Sequence, residues 1–253
     1  MQLAPLVEGN LKGPTLLFVQ GWPDDASLWD DAVNALRETY RIVRVNLPGY
    51  GGEPVPRWGF DTETIVEAFV NLVRELARAA PITLVLHDWG TYWGHVVHHR
   101  CPDSVARVAG IDVAPHYRPT PGATLGIVAY QGWLLSAFVL GGRTGGWMTR
   151  GLAKLAQAPA RDRPLDAVIN YPYRNVWADI ASGRAGQLTR GYWPTCPLLF
   201  VYGSKKRFMF HSPAWIEHVR RVGGDVIEIP SDHWVPRHPS FVPTLASWLE
   251  RTA

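Results

Sequence analysis

Short apolar runs alternate with longer amphipathic ones along most of the chain. The first, TLLFVQG at residues 15–21, is continuously apolar and ends in Gly-Trp-Pro, the pattern of a buried strand entering a loop. Residues 26–40 then place Leu28, Trp29, Val33 and Leu36 at helical spacing, and RIVRVNLPGYGGEP reads as a strand closed by Pro and Gly. Residues 61–79 open on Asp61 as a helix cap and keep an apolar stripe through Ile65, Phe69, Leu72 and Leu76 before the strand ITLVLHD. A helix over GTYWGHVVHHRCP follows, with strands at RVAGIDVAP, PLLFVYG (197–203) and DVIEIPS (225–231) and helices near 213–221 and 240–250. Strands alternating with helices predict an α/β fold with a doubly wound, mostly parallel sheet.

One interval breaks this rhythm. From about residue 115 to 195, Tyr, Trp, Gly and Pro concentrate without strand alternation, as in an inserted, largely helical cap. The expected organisation is a core of residues 1–114 and 196–253 with a helical lid over 115–195. Ligands of such sheets bind beyond the carboxyl ends of the strands, where a lid would cover them.

Composition narrows the function classes. The 253 residues are 47% hydrophobic with 12 Trp, ample material for a core. The net charge is only +3, and the densest basic cluster is Lys205–Arg207, so neither nucleic acid nor a membrane is the expected partner. A small molecule is, bound by a monomer or homodimer. Cys101 and Cys196 lie far apart without metal-ligand spacing and read as reduced thiols, with no metal site. The first residues lack a basic and then an apolar leader region, and no stretch reads as apolar for the length of a bilayer, so the expected compartment is the cytoplasm.

ITLVLHD runs directly into WGTYWGHVVHHR, which puts Asp88 on a sharp strand-to-helix turn. The segment Leu86-His87-Asp88-Trp89-Gly90 resembles the nucleophile elbow of the epoxide hydrolase and haloalkane dehalogenase branch of the α/β-hydrolase superfamily, whose nucleophile is Asp rather than Ser. Such a carboxylate displaces at an sp3 carbon to form an ester that water then hydrolyses, with no metal or organic cofactor. Leu86 stands where the elbow usually has a small residue. Phe18-Val19-Gln20-Gly21-Trp22-Pro23 resembles the family's HGxP segment, with Gln20 in place of His; the resemblance implies oxyanion donors at the backbone N–H groups of Trp22 and Trp89. Ser231-Asp232-His233-Trp234 resembles the segment bearing the catalytic histidine, which implies that His233 is the base. Asp232, its neighbour, is a weaker orienting acid.

The family often places that acid after the strand PLLFVYG, but here Gly203-Ser204-Lys205-Lys206-Arg207 offers no carboxylate. Some relatives supply it at the end of the strand before the cap, where RVAGIDVAP has Asp112. The cap segments Tyr130-Gln131 and Tyr173-Arg174-Asn175 resemble those carrying the oxygen-donating tyrosines of soluble epoxide hydrolases, with Tyr117, Tyr171 and Tyr192 as competitors. His87, His95, His98 and His99 are expected to pack or to face solvent. The resemblance implies hydrolysis of an apolar epoxide to a vicinal diol. The alternatives are a haloalkane or haloacid dehalogenase using the same Asp/His/Asp set, or a non-catalytic ligand-binding member of the fold.

Overall fold

A computed structural model describes residues 1–117 and 119–252. Among these residues seven strands form one sheet: β1 (Leu6–Gly9), β2 (Thr15–Val19), β3 (Arg41–Val45), β4 (Ile82–His87), β5 (Val105–Ile111), β6 (Leu198–Gly203) and β7 (Asp225–Ile229), in the order β1-β3-β2-β4-β5-β6-β7. All neighbours pair parallel except β1, which runs antiparallel to β3. Every residue of β4 is buried, as expected of a central strand covered on both faces.

The helices between the strands follow the predicted stripes. α1 (Asp30–Leu36) is shorter than predicted at both ends: residues 26–29 form a tight 3-10 turn before it and residues 37–39 a turn after it. α2 (Thr62–Leu76) is capped by the Asp61 side chain on the Thr64 N–H and buries Ile65, Phe69 and Leu72. α3 (Trp89–Arg100) starts directly from β4.

Between β5 and β6 the chain is helical: α4 (Pro121–Leu140), α5 (Gly142–Leu155), two 3-10 turns, α6 (Tyr171–Ala181) and the short α7 (Ala185–Leu188). α8 (Pro213–Arg221) and α9 (Phe241–Arg251) flank β7. One expectation is overturned here. α4 is long and apolar enough to cross a membrane by length and composition, and only 17% of its most apolar window is buried. Gly122, Gly126, Gly132 and Gln131 interrupt the apolar run and disguise it, while the helix carries no charged residue.

Candidate active site

The sheet order brings five loop ends together. The loops leaving β2, β4, β5, β6 and β7 open on the same edge, and β4 lies between β2 and β5. Asp88 takes φ 53° and ψ −121°, a left-handed turn rare for a non-glycine residue, so the side chain stands off the end of β4. Three glycines permit the elbow. A Cβ on Gly21 would lie 2.1 Å from Asp88 Oδ1 and 2.4 Å from the Trp89 nitrogen, and one on Gly90 would lie 2.3 Å from the Val19 carbonyl oxygen. Gly94 of α3 leaves room for Leu86, whose Cδ1 would be 2.4 Å from an added Cβ. The large residue before the elbow is thus accommodated by a missing side chain one helical turn beyond it.

The Asp88 carboxylate has two distinct oxygens. Oδ1 accepts from the Trp22 N–H at 2.7 Å, and Oδ2 lies 3.2 Å from His233 Nε2. His233 Nδ1 meets Asp112 Oδ2 at 2.5 Å. Asp112, fully buried at the end of β5, accepts on Oδ1 from the Gly203 N–H at 3.0 Å and from Lys206 Nζ at 2.5 Å. Asp88, His233 and Asp112 therefore form one line. Asp232 is not part of it: its carboxylate accepts the Trp234 N–H at 2.8 Å.

Burial alone would raise both carboxyls, but hydrogen bonding and charge from His233 outweigh it, so Asp88 is lowered and Asp112 falls to about 2. Burial alone would lower His233; its contacts with Asp112 and Asp88 prevail and push it up to about 10. His87 is driven down to about 4, chiefly by burial, and is the neutral neighbour. From Nε2 it donates to the His233 carbonyl oxygen at 2.9 Å, which fastens the β7 loop to β4.

Tyr130 and Tyr173 meet edge to face, ring centroids 6.1 Å apart, and Tyr173 packs edge to face on Trp89 at 5.1 Å. Burial and the Asp88 charge raise the phenol pKa of Tyr173, and the same causes raise that of Tyr130, so both carry their protons at neutral pH. The competing tyrosines are separated by their contacts. Tyr171 stacks on Trp93, and the Tyr192 hydroxyl is held by His95 Nδ1 at 3.0 Å and His98 Nδ1 at 2.7 Å. Tyr117 packs on Phe210, which borders His233. Two clefts, of about 480 and 360 Å³, lie beside Trp234 and beside Tyr50, and neither is lined by Asp88, His233 or the two tyrosines. Among the described residues no group of three or more His, Cys, Asp or Glu could hold a metal ion.

A model of the alpha/beta hydrolase fold family matches residues 14–236, which contain all of these residues. The chain belongs to the α/β-hydrolase fold family. Among the relatives of this α/β hydrolase, a probable oxidoreductase EphD of Mycobacterium tuberculosis (strain CDC 1551 / Oshkosh) is 32% identical over 115 residues, 44% of this chain and 19% of that protein. A fluoroacetate dehalogenase of a Burkholderia species is 34% identical over 109 residues, 42% of this chain and 36% of that protein. The chain thus aligns with well under half the length of these curated relatives. The crystal structure of Bacillus megaterium epoxide hydrolase in complex with an inhibitor covers 98% of this chain and 96% of its own at a TM-score of 0.71 and 19% identity, a likeness of fold.

Three residues of this α/β hydrolase's site were not anticipated. Lys206, almost wholly buried, occupies the loop after β6 where the family resemblance leads one to expect a carboxylate, and it braces the Asp112 carboxylate from the opposite side to His233. Asn170 accepts from Trp22 Nε1 at 2.8 Å, and Asp24 accepts from Trp234 Nε1 at 2.6 Å. Asn170 and Asp24 tie the lips of the two site loops into the fold. Lys206 and Asp112 are each legible in the sequence; their pairing across 94 residues is not. Gln20 Nε2 donates to Asn46 Oδ1 at 2.9 Å, so the loop that lacks the family's His is braced by an amide pair.

Proposed function

We propose that this α/β hydrolase opens an apolar epoxide to a vicinal diol through an ester on Asp88, with the helices of residues 115–195 as the lid. One observation carries the reading: a carboxylate with one oxygen on a backbone N–H and the other facing a His–Asp pair, beneath two protonated tyrosines. Oδ1 is held by the Trp22 N–H, and Oδ2, on the His233 side, attacks an epoxide carbon. The C–O bond breaks, and the departing oxygen takes a proton from Tyr130 or Tyr173, leaving a phenolate. Water then attacks the ester carbonyl carbon and gives a proton to His233 Nε2, while the N–H groups of Trp22 and Trp89 hold the oxyanion on Oδ1. Collapse expels the diol oxygen, which takes the proton from His233. The regenerated Asp88 carboxyl releases its proton, which restores the tyrosine.

The electrostatics suit this order. In the free site two anions hold His233 as an imidazolium. Esterification neutralises Asp88, removes one of them and lowers the His233 pKa, so the imidazolium releases its Nε2 proton to solvent before the step that needs a base and regains one when Asp88 is ionised again. Lys206 opposes the pull of the remaining anion, Asp112, in the same direction. Asp112 orients the imidazole and stabilises its charge.

Halide displacement is the second reading, favoured by the Trp89 indole nitrogen, which is buried and meets no hydrogen-bond acceptor at normal geometry among the described residues. A departing halide needs a second such donor, and Trp22 Nε1 is committed to Asn170. The test is the intact mass of His233→Gln after separate exposure to an aryl epoxide and to a haloalkane, with the adduct mapped by digestion. A hydroxyalkyl adduct on Asp88 from the epoxide is expected, since the ester persists without its base. An alkyl adduct from the haloalkane alone would establish the dehalogenase, and no adduct from either would leave a ligand-binding member of the fold.

A further inference from the structure

The helical segment between β5 and β6 has an outer face that the chemistry does not use. α4 buries Leu134, Ala137 and Phe138, and its opposite face exposes Leu125 (74%), Val128, Val139 and Leu140 (61%). α5, which packs on α4, exposes a stripe of its own. Arg143, Trp147 and Lys154 are exposed at positions four and then seven residues apart, one stripe of the helix, and Trp147 is 64% exposed. The two helices join through Trp133, whose Nε1 donates to the Met148 carbonyl oxygen at 3.0 Å. At the far end Arg57 donates to the Val139 carbonyl oxygen at 2.8 Å and stacks on the exposed Trp58.

Charge selects what such a face meets. Residues 121–155 contain three basic residues and no acidic one. Residues 115–195 hold nine Lys and Arg against three Asp and Glu, while the rest of the chain is net acidic. The chain's excess positive charge is therefore confined to the segment that also exposes its largest apolar helix face. Apolar side chains, indoles and cations interleaved on one surface match the interface of an anionic bilayer, where the apolar groups enter the acyl boundary and the cations meet lipid phosphates. A soluble monomer gains nothing from such a patch in water.

We infer that the outer face of α4 and α5 docks this protein on an anionic membrane surface, lying in the interface without spanning it. The buried Leu134, Ala137 and Phe138 keep α4 attached to the fold, so the helix cannot leave to cross a bilayer. Tyr130 projects from the other side of the same helix toward Tyr173, which places the candidate site directly behind the docked surface. The inference is independent of the reaction run at Asp88.

The test is co-sedimentation of the full chain with sucrose-loaded vesicles of 70% phosphatidylcholine and 30% phosphatidylglycerol, and with phosphatidylcholine alone, at physiological salt. Pelleting with the anionic vesicles is expected, falling as salt rises. Arg143→Ser with Lys154→Ser should weaken it roughly 25-fold, the loss expected for two interfacial cations. Leu125→Ser with Leu140→Ser should weaken it as well, whereas Leu11→Ser, an exposed apolar residue outside the face, should not. These side chains are exposed, and unchanged melting temperatures would confirm that the variants fold. Failure to pellet with anionic vesicles, or equal pelleting of all variants, overturns the inference. So does a concentration-dependent dimer by light scattering that the Leu125/Leu140 variant abolishes, because a second copy would then be the occupant.

Discussion

Helices α3 and α4 reverse the usual relation between composition and burial. α3 carries Thr91, His95 and His98 and is buried along nearly its whole length, whereas the uncharged, apolar α4 buries only four of its twenty residues. Position in the fold explains the difference. α3 leaves the central strand β4, and a right-handed crossover returns it onto the sheet, so even its histidines must find partners, as His95 and His98 do on Tyr192. α4 lies beyond the strand ends with neighbours on one side only. Burial in this α/β hydrolase follows what an element is laid against, and the half-uncovered apolar helix is the observation on which the docking proposal rests.

The contrast can be broken at several points. The largest effect belongs to the elbow: Asp88→Asn should lower turnover of an epoxide by on the order of 10⁴-fold or more while the fold survives, since Asn tolerates the left-handed backbone. Steady-state rates with a circular dichroism melt would check both halves. Tyr130→Phe with Tyr173→Phe should slow ester formation on the order of 10²-fold or more without altering the melt, and unchanged single-turnover alkylation would remove these phenols from the chemistry.

Glycines then separate the sheet-packed α3 from the segment between β5 and β6. Gly90→Ala in α3 forces a Cβ to 2.3 Å from a backbone carbonyl oxygen and should destabilise by about 1–3 kcal/mol. Lys206→Met acts more gently. Without the cation, Asp112 holds the His233 proton more tightly, the His233 pKa rises, and less neutral base exists at a given pH. The ascending limb of the pH profile for ester hydrolysis should therefore move to higher pH, with a fall of about tenfold at neutral pH; a uniform loss with an unmoved limb would make Lys206 merely structural. The smallest effect is Gly151→Ala in α5, where an added Cβ meets nothing within 4 Å. It should stabilise by about 0.5–1 kcal/mol, the ordinary gain of Ala over Gly inside a helix, measured by chemical denaturation.

The chain's local patterns carried the core. Apolar runs stopped by Gly and Pro mark strands whose ends are set by backbone chemistry, so β2 to β7 lie where the residues 15–21 to 225–231 predict them. Asp88, Asp112 and His233 are legible for the same reason, because each directly follows a strand or its terminal loop. β1 was not predicted: its four residues are half exposed and become a strand only by pairing with β3. Tertiary structure alone decided that Lys206 braces Asp112, that Asn170 occupies the Trp22 indole, and that α4 keeps an apolar face in the open. Each depends on which surfaces meet across scores of residues. Periodicity along a chain records where a side chain can point, whereas what it points at is fixed only when the sheet closes and the helices take their places upon it.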